Sequence, residues 1–486
     1  MISTPGFSSG WMFLVISACI CGFFLASLSP AMAQGSQAQN AVYNSTNGIV
    51  GSSAFIDLSM YLPPNGKTQG RDLCDAIYGV LNDLYGNTYP SNGAVIDARG
   101  VSGAANLTWT HGSPWTEGGN TVTAPSTILL PATGALPTNP SNSIVISTSW
   151  ILPPNTHLIG EGDGIPIFST GGSLISAPGT TIQAASGFSG SMIQIGAPSP
   201  VCPLVNTIPT CTGISVENLT LDGQGQSING ITNAYSQDAT SVNHVSLYQI
   251  RGVGLLIEQG SSGGNATNSG PYSNITFDTG SYQGTTGTVC AQILNAGSTH
   301  GIHGLSCAAE TNDAPAAVLL DSSNNSIEDV RIVGFYDGIS VGKNAPAQSN
   351  VLLNIIGDTA RSSGPTPVRV IHIQPGNTVT DLSIMGLENM GGTGTYTLWD
   401  DLTGPQLSDP SVGIYALGDS VNGGYSRYTT SPNLPTWVAG PNFPSGSSCA
   451  RGSLYSCTGG SMSCDGAALW ACALYTNGVL QWLAVR

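Results

Sequence analysis

Six side chains, distributed over a repeating pattern in the chain, have the chemistry to bind a sugar polymer and to transfer protons. The catalytic candidates are two acids, an imidazole and a guanidinium, namely Asp222, Asp278, His303 and Arg331. Tyr248 and Asn354 provide a phenol and an amide, which are candidates for substrate binding. Together in one groove, such groups can bind a sugar acid or move a proton.

Two reaction types fit these residues, and the sequence leaves both open. Hydrolysis of a glycosidic bond uses two carboxylates about 5–9.5 Å apart, and Asp222 and Asp278 lie near the upper end of that range if they are two coils apart. A lyase needs a base, here His303 or Arg331, and Ca²⁺ held by aspartate oxygens is the cofactor it can use. The scarcity of Lys and Arg slightly favours hydrolysis, which requires no cofactor.

Seven short segments share one pattern, a turn-type residue followed by an alternating apolar strand. The first apolar positions recur every 21 to 31 residues, at Leu219, Val245, Ile275, Ile302, Val330, Val351 and Leu382. Asn or Asp, which tolerate a left-handed backbone, precede five of them: Asn218, Asn274, Asp329, Asn350 and Asp381. His244 and Gly301 precede the other two. Irregular recurrence of this length predicts a solenoid of stacked β-coils.

The alternation predicts which side chains point outward from the coils. If the first apolar residue of each strand points inward, the residues one and three positions later point outward. Asp278, His303 and Arg331 are then expected on three successive coils of one face, with Asp222 and Tyr248 just before them. The alternative is that these are ordinary solvent-facing residues of a β-sheet.

Composition excludes one class of partner. The chain has 486 residues, of which 64 are Gly and only 8% are charged, and its formal net charge is −16. Nucleic acid is therefore not an expected partner, because neutralising phosphates requires clusters of Lys and Arg. The same shortage of cations argues mildly against a tight grip on long polyanionic glycans.

The N-terminus carries an export signal. Residues 11–28 are an apolar run, and Ala31-Met32-Ala33 has small residues where a signal peptidase cleaves. We predict a signal peptide over 1–33, followed by an N-terminal segment over 34–69, and a secreted or cell-surface location, extracellular or periplasmic. No membrane span is expected after cleavage. The region before the apolar run has no Lys or Arg, which leaves an uncleaved anchor as the alternative.

Elements flank the solenoid on both sides. Apolar residues at helical spacing predict a helix over 70–85 that caps the solenoid, with Asp72 as the residue that can cap its start, followed by a strand over 94–97. Residues 421–448 are predicted to be a linker and 449–486 a Cys-rich module.

Export implies an oxidising compartment, so nearby cysteines are expected to pair. Cys202 with Cys211 and Cys290 with Cys307 are the expected bridges, while Cys74 is left over. The four cysteines near the C-terminus fit disulfides better than a zinc site, because the cysteine pairs of structural zinc sites are closer together in the sequence. They are Cys449, Cys457, Cys464 and Cys472.

The helix around Asp75-Ala76-Ile77, the segment Leu152–Gly162 and the coil strands resemble the pectate-lyase-like superfamily over roughly residues 70–420. The resemblance implies an all-β fold, a right-handed parallel β-helix with an N-terminal helical cap and a small disulfide-rich C-terminal module. The catalytic signatures of the polygalacturonase and pectate-lyase branches are absent from this sequence. Gly301-Ile302-His303-Gly304 is one residue too long for the Gly-His-Gly of the first branch.

Members of this superfamily include polysaccharide lyases, glycoside hydrolases, epimerases and noncatalytic surface or phage proteins. The resemblance therefore implies an exported polysaccharide hydrolase or lyase acting on plant or microbial glycans. The alternative is a noncatalytic cell-surface or glycan-binding β-helix protein. Monomer and trimer both remain open, since a trimeric fibre would use the C-terminal module as its tip.

Overall fold

The structure is a computed structural model of the chain. It describes residues 55–484 except for 61–71, 86–93, 104–106, 110–111, 117–120, 134–142, 164–165, 169–173, 177–178, 262–263, 265–267, 281–285, 296–298, 310–313, 359–367, 391–394, 402–413, 418–436, 441–453, 458–468 and 475–479. The predicted signal peptide lies outside the described residues, as does most of the N-terminal segment.

Short strands make up most of the described chain. The first seventeen are β1 (Phe55–Asp57), β2 (Ala94–Asp97), β3 (Thr108–Trp109), β4 (Ser126–Leu129), β5 (Ile144–Ile146), β6 (Trp150–Leu152), β7 (Thr156–Ile159), β8 (Pro166–Phe168), β9 (Leu174–Ser176), β10 (Thr181–Ala184), β11 (Ser191–Ile195), β12 (Leu204–Val205), β13 (Ile208–Pro209), β14 (Ser215–Gln226), β15 (Asn229–Asn233), β16 (Ser241–Ile250) and β17 (Val253–Glu258). The others are β18 (Tyr272–Asp278), β19 (Val289–Leu294), β20 (Ile302–Ala308), β21 (Ala316–Asp321), β22 (Ser326–Val333), β23 (Asp337–Val341), β24 (Ala347–Gln348), β25 (Val351–Asp358), β26 (Val368–Ile373), β27 (Val379–Thr380), β28 (Leu382–Asn389), β29 (Thr395–Asp400), β30 (Ile414–Leu417), β31 (Trp437–Gly440), β32 (Leu454–Cys457), β33 (Leu469–Leu474) and β34 (Leu480–Ala484).

Among the described residues, one α-helix, α1 (Leu73–Tyr85), follows a 3₁₀ turn at Leu58–Met60. Asp72 caps the helix, because its Oδ1 accepts hydrogen bonds from the amides of Cys74 at 2.9 Å and Asp75 at 3.2 Å. The apolar face is fully buried in the same core as the first strands and consists of Leu73, Ile77, Val80 and Leu81. The predicted helix and its start at Asp72 are therefore correct, while its role as a cap on the solenoid stays a prediction.

The chain alternates between two large parallel sheets, which builds the right-handed parallel β-helix that the sequence predicts. The first sheet has fifteen strands, with β14, β16, β18, β20, β22, β25, β28 and β30 in order along its later part. The second sheet has nine strands in the order β29-β26-β23-β21-β19-β17-β15-β11-β6. The last strand of the first sheet is β30, which pairs with β28.

The long strands of the first sheet, from β14 to β28, bend at an equivalent position, where one residue has a left-handed backbone. These residues lie side by side in successive coils, with φ from 51° to 69°, at Asn218, His244, Asn274, Gly304, Asp329, Asn354 and Gly386. Asn, Asp and Gly adopt this conformation at the least cost, which explains their frequency in the column. The residue after each bend points into the core.

The sequence assigned this column correctly in four coils and incorrectly in three. Gly301, Asn350 and Asp381 were expected at the bend, but Gly304, Asn354 and Gly386 occupy it. Asn350 is instead a buried residue, and its Oδ1 accepts a 2.9 Å hydrogen bond from the amide of Asn325 in the previous coil. Asparagine serves both as a bend residue and as an interior residue here, so residue type alone does not separate the two positions.

The interior is a continuous apolar stack with a few hydrogen-bonded polar side chains. Tyr272 donates from its hydroxyl to Ser269 at 2.8 Å and accepts from Asn233 at 2.9 Å. Burial raises the pKa of Tyr272 to about 12. Buried polar groups of this kind stabilise the stack only because they are hydrogen-bonded to one another.

The two expected disulfides are present, joining Cys202 to Cys211 and Cys290 to Cys307. Cys74 is buried and lies outside both bridges. The pairing of the late cysteines falls outside the described residues and side chains. Among the described residues, no helix is both long and apolar enough to cross a membrane.

Near the C-terminus, β31, β32, β33 and β34 form a separate four-stranded sheet. Trp470 is buried, and the rings of Tyr455 and Trp482 meet edge to face with centroids 5.9 Å apart. The strand Trp437–Gly440 belongs to this sheet, although it lies within the range predicted to be a linker. The other domain boundaries stay predictions.

Candidate active site

Three of the predicted site residues lie in one column, as the sequence indicated. Asp222 is opposite Tyr248, and Tyr248 is opposite Asp278, on successive strands of the first sheet. Asp222 is fully buried, and its carboxylate accepts hydrogen bonds from Gln224 and Gln183. Burial raises the pKa of Asp222 above its ordinary value, against the opposing effect of these hydrogen bonds. A polymer cannot reach this carboxylate as it stands.

His303 does not join that column, which corrects the predicted register. Leu305, rather than Ile302, lies opposite Ile275, so the fourth coil is shifted by three residues. His303 therefore lies before the bend, opposite Glu328, and its Nδ1 is 3.3 Å from Glu328 Oε2. The expected meeting of His303 with Asp278, which lies at the far end of its strand, does not occur.

Arg331 and Asn354 also lie apart from that column. Arg331 is exposed on the first sheet, opposite Ser306, whereas Asp278 is opposite Ala308. Asn354 is a bend residue, and its amide donates a 3.0 Å hydrogen bond to Asp329 Oδ1. The structure thus gives Asn354 a structural reason for its position, and its predicted role in substrate binding stays untested.

A different cluster of polar and charged side chains lies on the outer face of the second sheet. The sequence pattern did not predict it. It is formed on the three consecutive strands β23, β26 and β29, and we call it the His372 cluster: Asp337, Arg369, His372, Trp399 and Asp401. Asp337 lies opposite Arg369, and His372 lies opposite Trp399. Asp337 and Asp401, which are 64 positions apart in the chain, thereby contact the same imidazole from the two neighbouring coils.

The imidazole of His372 lies between two carboxylates. Its Nδ1 is 2.8 Å from Asp337 Oδ2, and its Nε2 is 3.0 Å from Asp401 Oδ2. The Nε2 of Gln374 is also 2.8 Å from Nδ1, so the proton on that nitrogen decides whether it donates to Asp337 or accepts from Gln374. Both ring nitrogens donate to carboxylates together only in the imidazolium form.

The two carboxylates differ in their surroundings. Asp337 is buried, and its Oδ1 accepts a 2.6 Å hydrogen bond from Arg369 Nε. Asp401 keeps 38% of its side-chain surface exposed, while its Oδ1 accepts a 2.7 Å hydrogen bond from the indole of Trp399. The His372 cluster therefore opens to solvent at Asp401, and Asp337 serves as its buried partner.

A corner at the start of each strand brings these side chains to one face. Gly338 and Ile339 both face inward, which places Asp337 and Ser340 outward three residues apart. A Cβ atom on Gly338 would lie 2.4 Å from the carbonyl oxygen of Val370, so only glycine fits there. The next strand repeats the spacing, with Arg369 and His372 outward and buried residues between them.

This arrangement can transfer a proton. The Nε2 atom of His372 and the exposed Asp401 share one hydrogen bond, so a proton can move between the ring and a group in solvent. Asp337 fixes the ring from the opposite side, as the third group of a catalytic triad does. The two flanking carboxylate oxygens are roughly 7–8 Å apart, but the imidazole fills the space between them.

Within the described part of the chain, no group of three or more His, Cys, Asp or Glu side chains is arranged to hold a metal ion. The Ca²⁺ that a lyase would use stays a prediction.

No protein-family model matches the sequence, and no curated protein matches it. Solved structures do match. The A-module of a mannuronan C-5 epimerase from Azotobacter vinelandii has a TM-score of 0.33 at 13% identity, covering 79% of this chain and 97% of its own. A DFA-IIIase from Arthrobacter chlorophenolicus A6 has 0.41 at 14%, covering 78% and 86%. The tailspike of an Acinetobacter phage has 0.34 at 11%, covering 79% and 60%.

The TM-scores of these neighbours lie between 0.33 and 0.41. Their identities to this chain lie between 11% and 14%. At such identities the likeness concerns the fold alone.

Proposed function

We propose that this chain is an exported, carbohydrate-active β-helix protein that processes a polysaccharide along the outer face of its second sheet. The observation that carries the proposal is the position of His372, hydrogen-bonded to the buried Asp337 and to the exposed Asp401. An extended polymer can lie across the stacked strands, which repeat at about 4.8 Å. The two disulfides fit an oxidising compartment outside the cytoplasm.

In this proposal Asp401 and His372 transfer the proton, and hydrolysis is the reaction. A lyase would need a cation near the substrate carboxylate, but the one cation of the described cluster, Arg369, is bonded to Asp337. Asp337 is a positioning residue because it touches the imidazole and Arg369 rather than an open surface.

A specific observation also favours the second candidate, a noncatalytic glycan-binding protein. Glycoside hydrolysis generally uses two carboxylates that flank the bond, and in the His372 cluster only Asp401 is substantially exposed. A binding protein would need no second carboxylate, and Trp399 beside Asp401 would provide a ring for stacking against a sugar.

One assay separates the candidates. The mature chain is incubated with a polysaccharide panel, with and without Ca²⁺, and both new reducing ends and unsaturated uronides are measured. We expect new reducing ends alone, and their loss in Asp401→Asn. Unsaturated products would indicate a lyase, and retention of a glycan without cleavage would indicate a binding protein.

The column predicted from the sequence is tested in the same assay. Asp278→Asn and Arg331→Ala should each abolish activity if that column is the site, with little change in the thermal melt. We expect both variants to keep full activity, because Asp278 and Arg331 do not come together with His303.

A further inference from the structure

We infer that the glycan at the His372 cluster carries no carboxylates or sulfates, and that the protein selects uncharged or amino sugars over polyuronates. This inference rests on the proposed function, because it names the substrate class of the same site. It follows from which charges in the cluster remain available to a ligand.

The positive charge of Arg369 is already paired with a carboxylate inside the cluster. Arg369 has only 13% of its side chain exposed, and its Nε donates a 2.6 Å hydrogen bond to Asp337. Its guanidinium carbon lies 5.9 Å from the ring centroid of Trp399, so the group also stacks on an indole. A substrate carboxylate at this guanidinium would share its charge with Asp337, which is buried and holds His372 as well.

The exposed charge of the cluster is negative. Asp401 is the most exposed of its ionisable groups, at 38% against 6% for Asp337 and His372 and 13% for Arg369. A uronate carboxylate near Asp401 would be repelled, which lowers affinity by about fivefold or more for each contact at about 4 Å. An ammonium group on an amino sugar would be attracted by the same charge.

Other cations within the described ranges lie outside the cluster. Arg99 pairs with Asp97 and Arg331 is on the first sheet, while Lys343 is exposed just beyond the end of β23, the strand that carries Asp337. Arg251 lies just before β17, where its Nη1 is 3.5 Å from the carbonyl oxygen of Gly225. The formal net charge of −16 adds a general repulsion toward polyanions at low salt.

Native gels containing neutral glucans and fructans, chitosan or polyuronates as probes test this selection directly. We expect at least one neutral polymer or chitosan to retard the mature chain, and polyuronate to leave it unretarded at low salt. Asp401→Asn should keep neutral binding, weaken chitosan binding severalfold and raise any residual polyuronate binding. Asp329→Asn makes the same charge change at an exposed bend residue and should alter none of these.

Two outcomes would count against the inference in distinguishable ways. Tighter binding of polyuronate than of any neutral polymer or chitosan would overturn the substrate class while leaving a carbohydrate-active protein. Absence of binding and cleavage with every polymer would remove the proposed function and this inference together.

Discussion

The Nε2 atom of His372 lies 3.0 Å from Oδ2 of Asp401, although the two residues are separated by 29 positions in the chain. The pair exists because one coil returns the chain to the adjacent strand of the same sheet. We expect Asp401→Asn to reduce turnover by about 10²–10⁴-fold, since the amide can no longer exchange a proton with the ring. Initial rates on the active polysaccharide measure this effect.

His303 provides a matched control for that experiment. It is a half-exposed histidine next to a carboxylate, Glu328, on the other sheet. His303→Gln should keep wild-type rates, whereas His372→Gln should lose as much activity as Asp401→Asn. Equal losses in both histidine variants would contradict the assignment of the site.

Asp337 is expected to matter for stability through its buried charge. Asp337→Asn removes the partner of Arg369 and leaves a buried guanidinium uncompensated, which costs about 3–5 kcal/mol in the free energy of unfolding. The double variant Asp337→Leu with Arg369→Met should recover much of the loss, because it removes both charges. Chemical denaturation of the three proteins measures these differences, and equal losses in the single and double variants would argue against an ion pair.

Asp222 predicts a pH dependence of stability. Its pKa in the folded chain is raised by burial, so at low pH the carboxyl is neutral in both the folded and unfolded states. As pH rises past the ordinary aspartate value, the unfolded chain releases its proton first, and folding loses free energy until the folded-state pKa is passed. Melting temperatures should therefore shift in favour of Asp222→Asn, relative to wild type, as pH rises above the ordinary aspartate pKa.

The exposed Asp329 gives the comparison for this titration. Asp329→Asn removes one carboxylate from a bend position where Asn is already used in other coils. Its melting temperature relative to wild type should change less with pH than that of Asp222→Asn. A parallel shift in the two variants would mean that net charge, rather than burial of Asp222, causes the effect.

The bend column predicts a difference between two substitutions at one site. Gly304 has φ of 69°, and an added Cβ would lie 3.2 Å from Asn274 Oδ1. Gly304→Ala should lower the unfolding free energy by about 1–2 kcal/mol, and Gly304→Asn should cost less because Asn tolerates this backbone. Thermal or urea unfolding distinguishes them, and the reverse order would contradict the role of the column.

Loss of one disulfide should have a clear effect. Replacing both Cys290 and Cys307 by Ser removes a bridge with a sequence separation of 17, which should cost about 3 kcal/mol. Cys74→Ser changes a buried cysteine outside both bridges and should cost less. Midpoints of guanidinium unfolding measure both variants, and similar losses would show that burial of the thiol positions dominates.

The sequence was sufficient to predict the β-helix because local signals repeat in it. Asn218, Asn274 and Asp329 each precede an alternating strand, and each one lies at a bend in the structure. The bend residue of the fourth coil was predicted incorrectly because Gly301 and Gly304 both have positive φ, at 105° and 69°, so either could begin the strand. Only pairing with the neighbouring coils selects Gly304.

The His372 cluster could not be assembled from alternation alone. Strict alternation places Arg369 and His372 on opposite faces of their strand, but both point outward because Val370 and Ile371 are both buried at the corner. The signal was the glycine at position 338, one strand earlier, where a side chain would collide with the next coil. A corner of this kind depends on contacts between coils, which a single strand does not contain.

Because each bend is specified by a single residue of its own coil, the number of coils is not tied to any one contact. Duplicating the segment between Asn274 and Gly304 would lengthen the protein by one strand spacing, about 4.8 Å, without altering a bond of the His372 cluster. The length of the stacked face can thus change by whole coils, while the hydrogen bonds of the His372 cluster stay the same.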